Sequence, residues 1–332
     1  MKKTGKKILV TGGLGFIGSY FIDLLLDRGF SVTNIDKVTY AARKDLKFNS
    51  HPNYRFIKED IACLKEIPND LDYLVNFAAE SHVDNSILSN QPFFHSNVNG
   101  VYNLLELIHR LSVGNRPLFV QISTDEVYGD ILEGSFTELD RLNPSSPYSA
   151  SKAAADMLVH AWSRTYGLKT IIVRSCNNYG YGQYSEKLIP RAMKNAQKLM
   201  KIPVHGDGSY KREWIYAGDN CEAIFLAMTK GENGEIYNIS TNEEFSNLEV
   251  IRMILRMMGK TEELLELVAD RPGQDLRYSV SADKIRKLGW RPQMTLERYL
   301  PKCEELNKER RKNLPPGRKQ FLLGLLGFKK KK

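Results

Sequence analysis

The chain has 332 residues, a length that suits one large domain or two interlocked domains with a sizeable core. Hydrophobic residues make up 42% and charged residues 26%, which is ordinary for a soluble globular protein. No apolar segment predicts a signal peptide or a membrane span, so we expect a cytoplasmic protein. Neither a disulfide framework nor a metal site is predicted, because the histidines are scattered and no paired spacing connects Cys63, Cys176, Cys221 and Cys303.

The formal net charge of +9 is concentrated at the C-terminus. From Lys302 onward there are 11 Lys and Arg against 3 Glu, a net charge of +8, which leaves about +1 for the preceding 301 residues. A surface that binds nucleic acid needs basic residues spread over folded elements. We therefore expect no nucleic-acid partner.

The first predicted unit is a strand, a glycine-rich turn and a helix. An apolar strand at residues 6–10 leads into residues 11–18, TGGLGFIG, and a helix over 16–27, and a second strand, 31–35, ends at Asp36. Glycines in this turn allow a pyrophosphate to approach the free N–H groups of the helix. A carboxylate about 20 residues further on suits the ribose hydroxyls of NAD and repels the extra phosphate of NADP. This order of elements predicts NAD as the cofactor.

Strands and helices then alternate without internal repeats. We predict strands at residues 54–57, 72–79 and 117–124 and a helix over 92–111. This rhythm is typical of a doubly wound parallel α/β sheet, which binds ligands at the carboxyl ends of its strands. The residues that fall at such ends are Ala79, Thr124, Asp125 and Glu126.

A set of acid and base groups follows the last of these strands. It consists of Thr124, Asp125 and Glu126 together with Tyr148 and Lys152, which lie one helical turn apart. Taken alone, an adjacent Asp-Glu pair is more often a solvated turn, and a Tyr-x-x-x-Lys spacing is more often two neighbours on a helix. Their position at predicted strand and helix ends, in a chain with a dinucleotide fingerprint, favours an acid–base site beside a nicotinamide cofactor.

With these motifs the chain resembles the extended short-chain dehydrogenase/reductases over about residues 6–300, and among them most resembles the dTDP-glucose 4,6-dehydratase family. Further segments that carry the resemblance are residues 76–84, 177–180, 186–190, 212–216 and 270–275. The resemblance implies a Rossmann-type NAD-binding domain of residues 1–174 plus about 213–239. It also implies a smaller, discontinuous α/β substrate-binding lobe of about 175–212 plus 240–312, followed by a C-terminal tail at 313–332.

The resemblance implies three chemical steps on a nucleotide sugar: oxidation at C4, loss of water across C5 and C6, and return of the hydride to C6. In the first step Tyr148 takes the C4 hydroxyl proton, its pKa lowered by the Lys152 cation, while Thr124 hydrogen-bonds the same oxygen. Lys152 also holds the nicotinamide ribose. Glu126 then removes the C5 proton, and Asp125, kept protonated by burial and a neighbouring carboxylate, protonates the leaving oxygen.

Two alternatives stay open. A sugar-nucleotide epimerase or decarboxylase is disfavoured by Asp125, which those reactions do not need. A non-catalytic NAD-binding scaffold is disfavoured by the complete set of acid and base groups.

The resemblance also assigns binding residues and a dimer surface. The cofactor-binding positions are Gly12, Gly15, Phe16, Ile17, Gly18, Asp36, Lys37, Thr39, Asp60, Ile61, Ala78, Ala79, Ser81, Ser96, Tyr148, Lys152 and Asn178. The substrate-binding positions are Ser81, Thr124, Asn177, Lys187, Leu188, Pro203, His205, Arg212, Asn247, Asp270 and Arg271. Independently of the resemblance, a fixed guanidinium at Arg212 suits a diphosphate. Helices near residues 92–111 and 149–166 match the family's dimer surface, so a homodimer is expected.

Several positions depart from the family pattern. They are the loop at residues 181–185, His205, Gly218, Gln274 and Leu276. None is a proposed acid or base, so the reaction class is unaffected. The base and sugar stay open, with UDP-glucose or UDP-N-acetylglucosamine as alternatives to dTDP-glucose.

The resemblance to the family does not explain the tail. Residues 318–332 consist of an Arg-Lys pair, an apolar run and four lysines. This pattern predicts contact with the surface of an anionic membrane. The alternative is a tail that packs on the body or is disordered.

Overall fold

The computed structural model describes residues 5–44 and 46–312. Its strands are β1 (Lys7–Thr11), β2 (Ser31–Asp36), β3 (Tyr54–Lys58), β4 (Tyr73–Asn76), β5 (Leu118–Thr124), β6 (Thr170–Ser175), β7 (Asn177–Tyr179), β8 (Ile202–His205), β9 (Lys211–Tyr216), β10 (Ile236–Ile239), β11 (Glu244–Ser246) and β12 (Leu265–Val268). Seven of them form one parallel sheet in the order β10-β6-β5-β4-β1-β2-β3.

The α-helices are α1 (Phe16–Asp27), α2 (Val83–Leu88), α3 (Gln91–Phe93), α4 (Gly100–Arg110), α5 (Pro147–Tyr166), α6 (Leu188–Gln197), α7 (Ala217–Lys230), α8 (Asn247–Met257), α9 (Asp283–Lys287) and α10 (Leu296–Lys312). A π-helical segment, Phe94–Asn99, joins α3 to α4, so the helix predicted over 92–111 contains a locally widened turn. None of the helices in the described ranges is long and apolar enough to cross a membrane.

The large sheet is covered on both faces. On β1, Ile8 and Val10 pack in the core cluster that contains Phe21 of α1, whereas Leu9 packs in the cluster that contains Leu104 of α4. Successive side chains of a strand point to opposite faces, so one apolar run serves both layers. The predicted doubly wound parallel fold is confirmed.

A second lobe has its own small sheets and core. Its strands form the orders β11-β9-β7 and β12-β8, and α6, α8 and α10 pack around them with Trp214 and Ile251 in the core. The predicted boundary near residue 213 falls inside β9, whereas α7 and β10 return to the large sheet. The exact division into two domains therefore remains a prediction, and the predicted tail, 313–332, lies outside the described residues.

Candidate active site

A cavity of about 460 Å³ lies at the carboxyl ends of the parallel strands, between the large sheet and the second lobe. It is lined by every predicted cofactor-binding residue, by every predicted substrate-binding residue except Asp270, and by four of the five predicted catalytic residues. Asp125 is the exception among the five. Asp270 lies further out, where it accepts a hydrogen bond from the Tyr210 hydroxyl. The structure thus brings together residues that are far apart in the sequence.

The glycine-rich turn leaves no room for side chains at two positions. A Cβ atom at Gly12, where φ is +69°, would lie 2.5 Å from the backbone nitrogen of Ala78. One at Gly18 would lie 2.5 Å from the carbonyl oxygen of Gly12. The turn can therefore bring its backbone N–H groups and the start of α1 close to a ligand, as a dinucleotide pyrophosphate requires.

Asp36 holds this turn from the end of β2. Its carboxylate accepts hydrogen bonds from the backbone nitrogens of Leu14, at 3.0 Å, and Val38, at 2.7 Å. Burial raises the pKa of Asp36, while these two bonds oppose the shift. The carboxylate is at the position predicted for a ribose-binding acid, and it also fixes the loop that would surround that ribose.

Helix α5 positions Tyr148 and Lys152. The helix begins with a capping box, in which the side chain of Ser146 accepts from the nitrogen of Ser149 and the side chain of Ser149 accepts from the nitrogen of Ser146. One helical turn separates Tyr148 from Lys152, and both side chains are buried in the cavity wall. Lys152 Nζ donates a hydrogen bond to the carbonyl oxygen of Ile122 on β5.

The predicted effect of Lys152 on Tyr148 is wrong for this structure. Burial, followed by the charges of Glu126 and Asp125, raises the pKa of Tyr148, and a hydrogen bond with Thr124 opposes the shift. Burial also lowers the pKa of Lys152 to about 8, against the influence of Asp156. Desolvation therefore outweighs the attraction between cation and phenolate that the sequence suggested.

The acid pair follows β5 in a short 3₁₀ turn, Asp125–Tyr128. Thr124 Oγ1 donates to Asp125 Oδ1 at 3.1 Å and accepts from the nitrogen of Glu126 at 3.3 Å. Glu126 lines the cavity, whereas Asp125 is only 2% exposed and lies behind the wall.

The two carboxyl groups have different electrostatic surroundings. Burial, then the charges of Glu126 and Glu213, raises the pKa of Asp125 well above its usual value. Burial also raises the pKa of Glu126, but Lys187, Arg212 and Arg271 oppose that shift. This asymmetry favours a protonated Asp125 beside an ionised Glu126, which suits an acid and a base respectively.

Cations gather at the second-lobe end of the cavity. The guanidinium of Arg212 is held by the carbonyl oxygens of Lys211, at 2.6 Å, and Asp275, at 2.8 Å, and lies 4.2 Å from the centre of the Tyr278 ring. Lys187 and Arg271 also line this end. Three cations, one of them rigidly held, suit a diphosphate group.

Some residues around the site were not predicted from the sequence. Asp156 is fully buried, accepts from Arg174 Nε at 2.9 Å, and acts on Lys152 through its charge. Its spacing, one turn after Lys152 on α5, is a signal that sequence reasoning could have used. Glu213 has a weaker signal, since its burial depends on how β9 packs.

Comparisons with known proteins identify the family. The family model described as GDP-mannose 4,6 dehydratase matches residues 9–303. Among curated proteins, the low-salt glycan biosynthesis protein Agl12 of Haloferax volcanii is 46% identical, over 89% of this chain and 96% of its own. A dTDP-glucose 4,6-dehydratase of Haemophilus influenzae is 44% identical, over 88% of this chain and 95% of its own.

A solved structure agrees with these matches. The dTDP-glucose 4,6-dehydratase DesIV of Streptomyces venezuelae, crystallised with NAD bound, superposes with a TM-score of 0.86 at 39% identity, over 93% of this chain and 99% of the other. The superposition includes both lobes of the chain. With its glycine-rich turn, its buried acid pair and its Tyr-Lys couple, the chain belongs to the GDP-mannose 4,6 dehydratase family.

Proposed function

We propose that the protein is an NAD-dependent nucleotide-sugar 4,6-dehydratase that converts dTDP-glucose to dTDP-4-keto-6-deoxyglucose. The observation that carries this proposal is the placement of Thr124, Glu126, Tyr148 and Lys152 at one cavity, with Asp125 hydrogen-bonded to Thr124 behind the cavity wall. The names of the Haemophilus and Streptomyces relatives support dTDP-glucose as the substrate.

The glycine-rich turn fits the proposed cofactor, because the backbone around Gly12 and Gly18 leaves a cradle that a Cβ atom would disrupt. NAD held in this cradle would supply the acceptor and the donor for the hydride that leaves C4 and returns to C6. Tyr148 takes the proton of the C4 hydroxyl as a phenolate, a form that the positive charges of Lys152 and of bound NAD would favour against the effect of burial, and Thr124 shares the same oxygen. Lys152, one helical turn after Tyr148, supplies the positive charge.

Elimination uses the two carboxyl groups in different protonation states. Glu126 lines the cavity and removes the C5 proton, which the C4 ketone has made acidic. Asp125 supplies a proton to the leaving C6 oxygen, for which its side chain turns from Thr124 towards the cavity. Glu126 finally returns its proton to C5 when the hydride reaches C6.

The substrate's diphosphate is assigned to the end of the cavity with Lys187, Arg212 and Arg271. The base and sugar depend on neighbouring positions that depart from the family pattern. Those that line the cavity are Gln183, Tyr184, His205 and Gln274. Because these positions differ, UDP-glucose and UDP-N-acetylglucosamine are included in the test below.

The test is to incubate the purified protein with dTDP-glucose, UDP-glucose and UDP-N-acetylglucosamine separately and to follow each by mass spectrometry. We expect dTDP-glucose to lose one water without net reduction of NAD. Loss of water from a UDP-sugar alone would overturn the assignment of the base. Unchanged mass in all three would contradict a dehydratase acting on these sugars, and NMR of the recovered sugars would then reveal an epimerase.

We infer a homodimer formed through α4 and α5. Large side chains on these helices are exposed, with Tyr102 at 48% and Met157 at 49%. The rings of Tyr102 and Trp162, on the two helices, meet edge to face with centroids 5.8 Å apart. Exposed large side chains on two helices that meet in this way suit contact with a second copy of the chain. Sedimentation analysis should give twice the chain mass, and a Tyr102→Glu variant should give monomers.

The tail contributes a separate proposal, that residues 318–332 bring this enzyme to anionic membranes from the cytoplasm. It rests on their sequence alone, an apolar run with basic flanks. Co-sedimentation with vesicles that contain phosphatidylserine should fall when the residues after Leu314 are deleted. Equal binding of the full and shortened chains to the vesicles would contradict this proposal.

A further inference from the structure

A third buried carboxyl group, that of Glu213, lies near the acid pair but outside the cavity wall. Its neighbours on β9, Arg212 and Trp214, both line the cavity, so strand alternation directs Glu213 to the opposite face. It is 2% exposed. The reaction proposed above does not use this group.

Glu213 is held by three hydrogen-bond donors. Its carboxylate accepts from Ser240 Oγ at 2.6 Å, from Ser279 Oγ at 3.0 Å and from the nitrogen of Val280 at 3.2 Å. Such donors favour the ionised form of a carboxyl group. They oppose the rise in the pKa of Glu213 that burial and the nearby Glu244 cause.

The ends of three adjacent strands connect Glu213 to the acid pair. Strands β5, β6 and β10 pair in register up to their carboxyl ends. The first residues beyond those ends are Asp125, Cys176 and Ser240. Ser240 donates a hydrogen bond to Glu213. Burial, followed by the charges of Glu213 and Asp125, raises the pKa of the Cys176 thiol well above its usual value. A neutral thiol thus lies among these carboxyl groups.

The groups around Asp125 shift its pKa in both directions. Glu126 and Glu213 favour its protonated form, whereas Arg212 and the hydroxyl of Thr124 favour ionisation. Asp125 has one side-chain donor, Thr124, compared with three donors for Glu213. When neighbouring buried carboxyl groups cannot all be ionised, the proton resides on the one whose ionised form is stabilised least. The ionised form of Glu126 is stabilised by the charges of Lys187, Arg212 and Arg271, which leaves Asp125 as the protonated group.

We propose that Glu213 is a positioning residue whose fixed negative charge keeps the proton on Asp125, so that Asp125 is ready to act as the acid of the elimination step. The inference deepens the proposed function and rests on it, because it presumes the role of Asp125 in loss of water. Glu126 also favours the protonated form of Asp125, from the cavity side, but the charge of Glu126 itself changes when it takes up a proton during the reaction. Glu213, outside the cavity, keeps its charge throughout.

The test is the pH profile of a Glu213→Gln variant, which keeps the size of the side chain and can still hydrogen-bond the serines. Without the negative charge, the pKa of Asp125 falls, so the pH above which elimination declines moves down. A shift of one pH unit lowers the rate above that point about tenfold. C4 oxidation, followed as NADH formation with a dTDP-6-deoxyglucose substrate that has no C6 hydroxyl to lose, should keep its pH profile.

A matched control is Glu244→Gln. Glu244 pairs with Glu213 across β11 and β9 but makes ion pairs with Lys211 and Arg277 instead of facing Asp125. This variant should keep the pH profile of the wild type. An equal shift in both variants would show a general effect of charge and overturn the inference.

A second variant covers the case in which Glu213→Gln does not fold. The double change Ser240→Ala and Ser279→Ala keeps Glu213 but removes two donors, so Glu213 holds a proton more readily and its influence on Asp125 weakens. The elimination profile should shift in the same direction. An unmoved profile in a folded variant of either kind overturns the role of Glu213, whereas failure of the wild type to release water overturns the proposed function.

Discussion

Lys152 donates a hydrogen bond from its ammonium group to the backbone carbonyl of Ile122, two residues before Thr124. The same helix and strand also meet at Tyr148 and Thr124, since Thr124 opposes the rise in the pKa of Tyr148. These two contacts fix the position of Tyr148, the proposed proton acceptor in C4 oxidation, relative to the turn that contains Asp125 and Glu126. Oxidation and elimination can therefore take place on one bound sugar without a change of site.

Replacing Asp125 with Asn should separate the two steps. Asparagine keeps the shape of the side chain and can accept the hydrogen bond from Thr124, but it has no acidic proton. We expect water loss to fall about 10²- to 10⁴-fold, the usual contribution of a general acid. C4 oxidation, measured as a transient rise of NADH absorbance in single turnover, should remain detectable. Equal loss of both steps would refute the division of roles.

The rate of C4 oxidation should decrease as the pH rises through about 8, which is the pKa to which burial lowers Lys152. A lysine is cationic below its pKa, so the positive charge of Lys152 disappears above this value. Without that charge the phenolate of Tyr148, the form that accepts the C4 hydroxyl proton, is less favoured, because burial raises the pKa of Tyr148. The check is the pH dependence of oxidation of the 6-deoxy substrate. A constant rate across pH 8 would contradict the prediction.

A Lys152→Arg variant provides the control for that profile, because a guanidinium stays charged at all accessible pH values. Its oxidation rate should be low, since the larger group does not fit the site of the ammonium. The decline near pH 8 should nevertheless be absent. Persistence of the decline in this variant would assign it to another group.

The fold and much of the site could be predicted because their signals are local. The turn at residues 11–18 and Asp36 follow from the order of strand, glycines and helix, and Tyr148 and Lys152 from helical spacing. Effects that depend on packing could not be predicted. The raised pKa of Tyr148 and the position of Asp125 behind the cavity wall result from burial, which a short sequence motif does not reveal.

The ion pair between Asp156 and Arg174 should be important for stability. Their side chains are 0% and 1% exposed, with 2.9 Å between Arg174 Nε and Asp156 Oδ2. Asp156→Asn leaves a buried guanidinium without its counter-charge, which costs about 3–5 kcal/mol. Urea unfolding should show this loss. Combining Asp156→Asn with Arg174→Met should cost less than the sum of the two single changes, and additive costs would contradict a coupled pair.

Asp36 should decide the preference for NAD over NADP. In Asp36→Asn the negative charge that repels a 2′-phosphate is gone, so binding of NADP should improve while binding of NAD weakens, because an amide is a poorer acceptor for ribose hydroxyls. Asparagine can also satisfy only one of the two N–H groups of Leu14 and Val38 through its single oxygen, since its other end is a donor.

Calorimetric titration of NAD and NADP should show the ratio of their affinities change by about tenfold or more, or about 1.4 kcal/mol. Asp27→Asn, an exposed acid at the end of α1, removes the same charge away from the cavity and should leave the ratio unchanged. An unaltered ratio in Asp36→Asn would mean that the selectivity comes from the shape of the loop after β2 and not from the charge of Asp36.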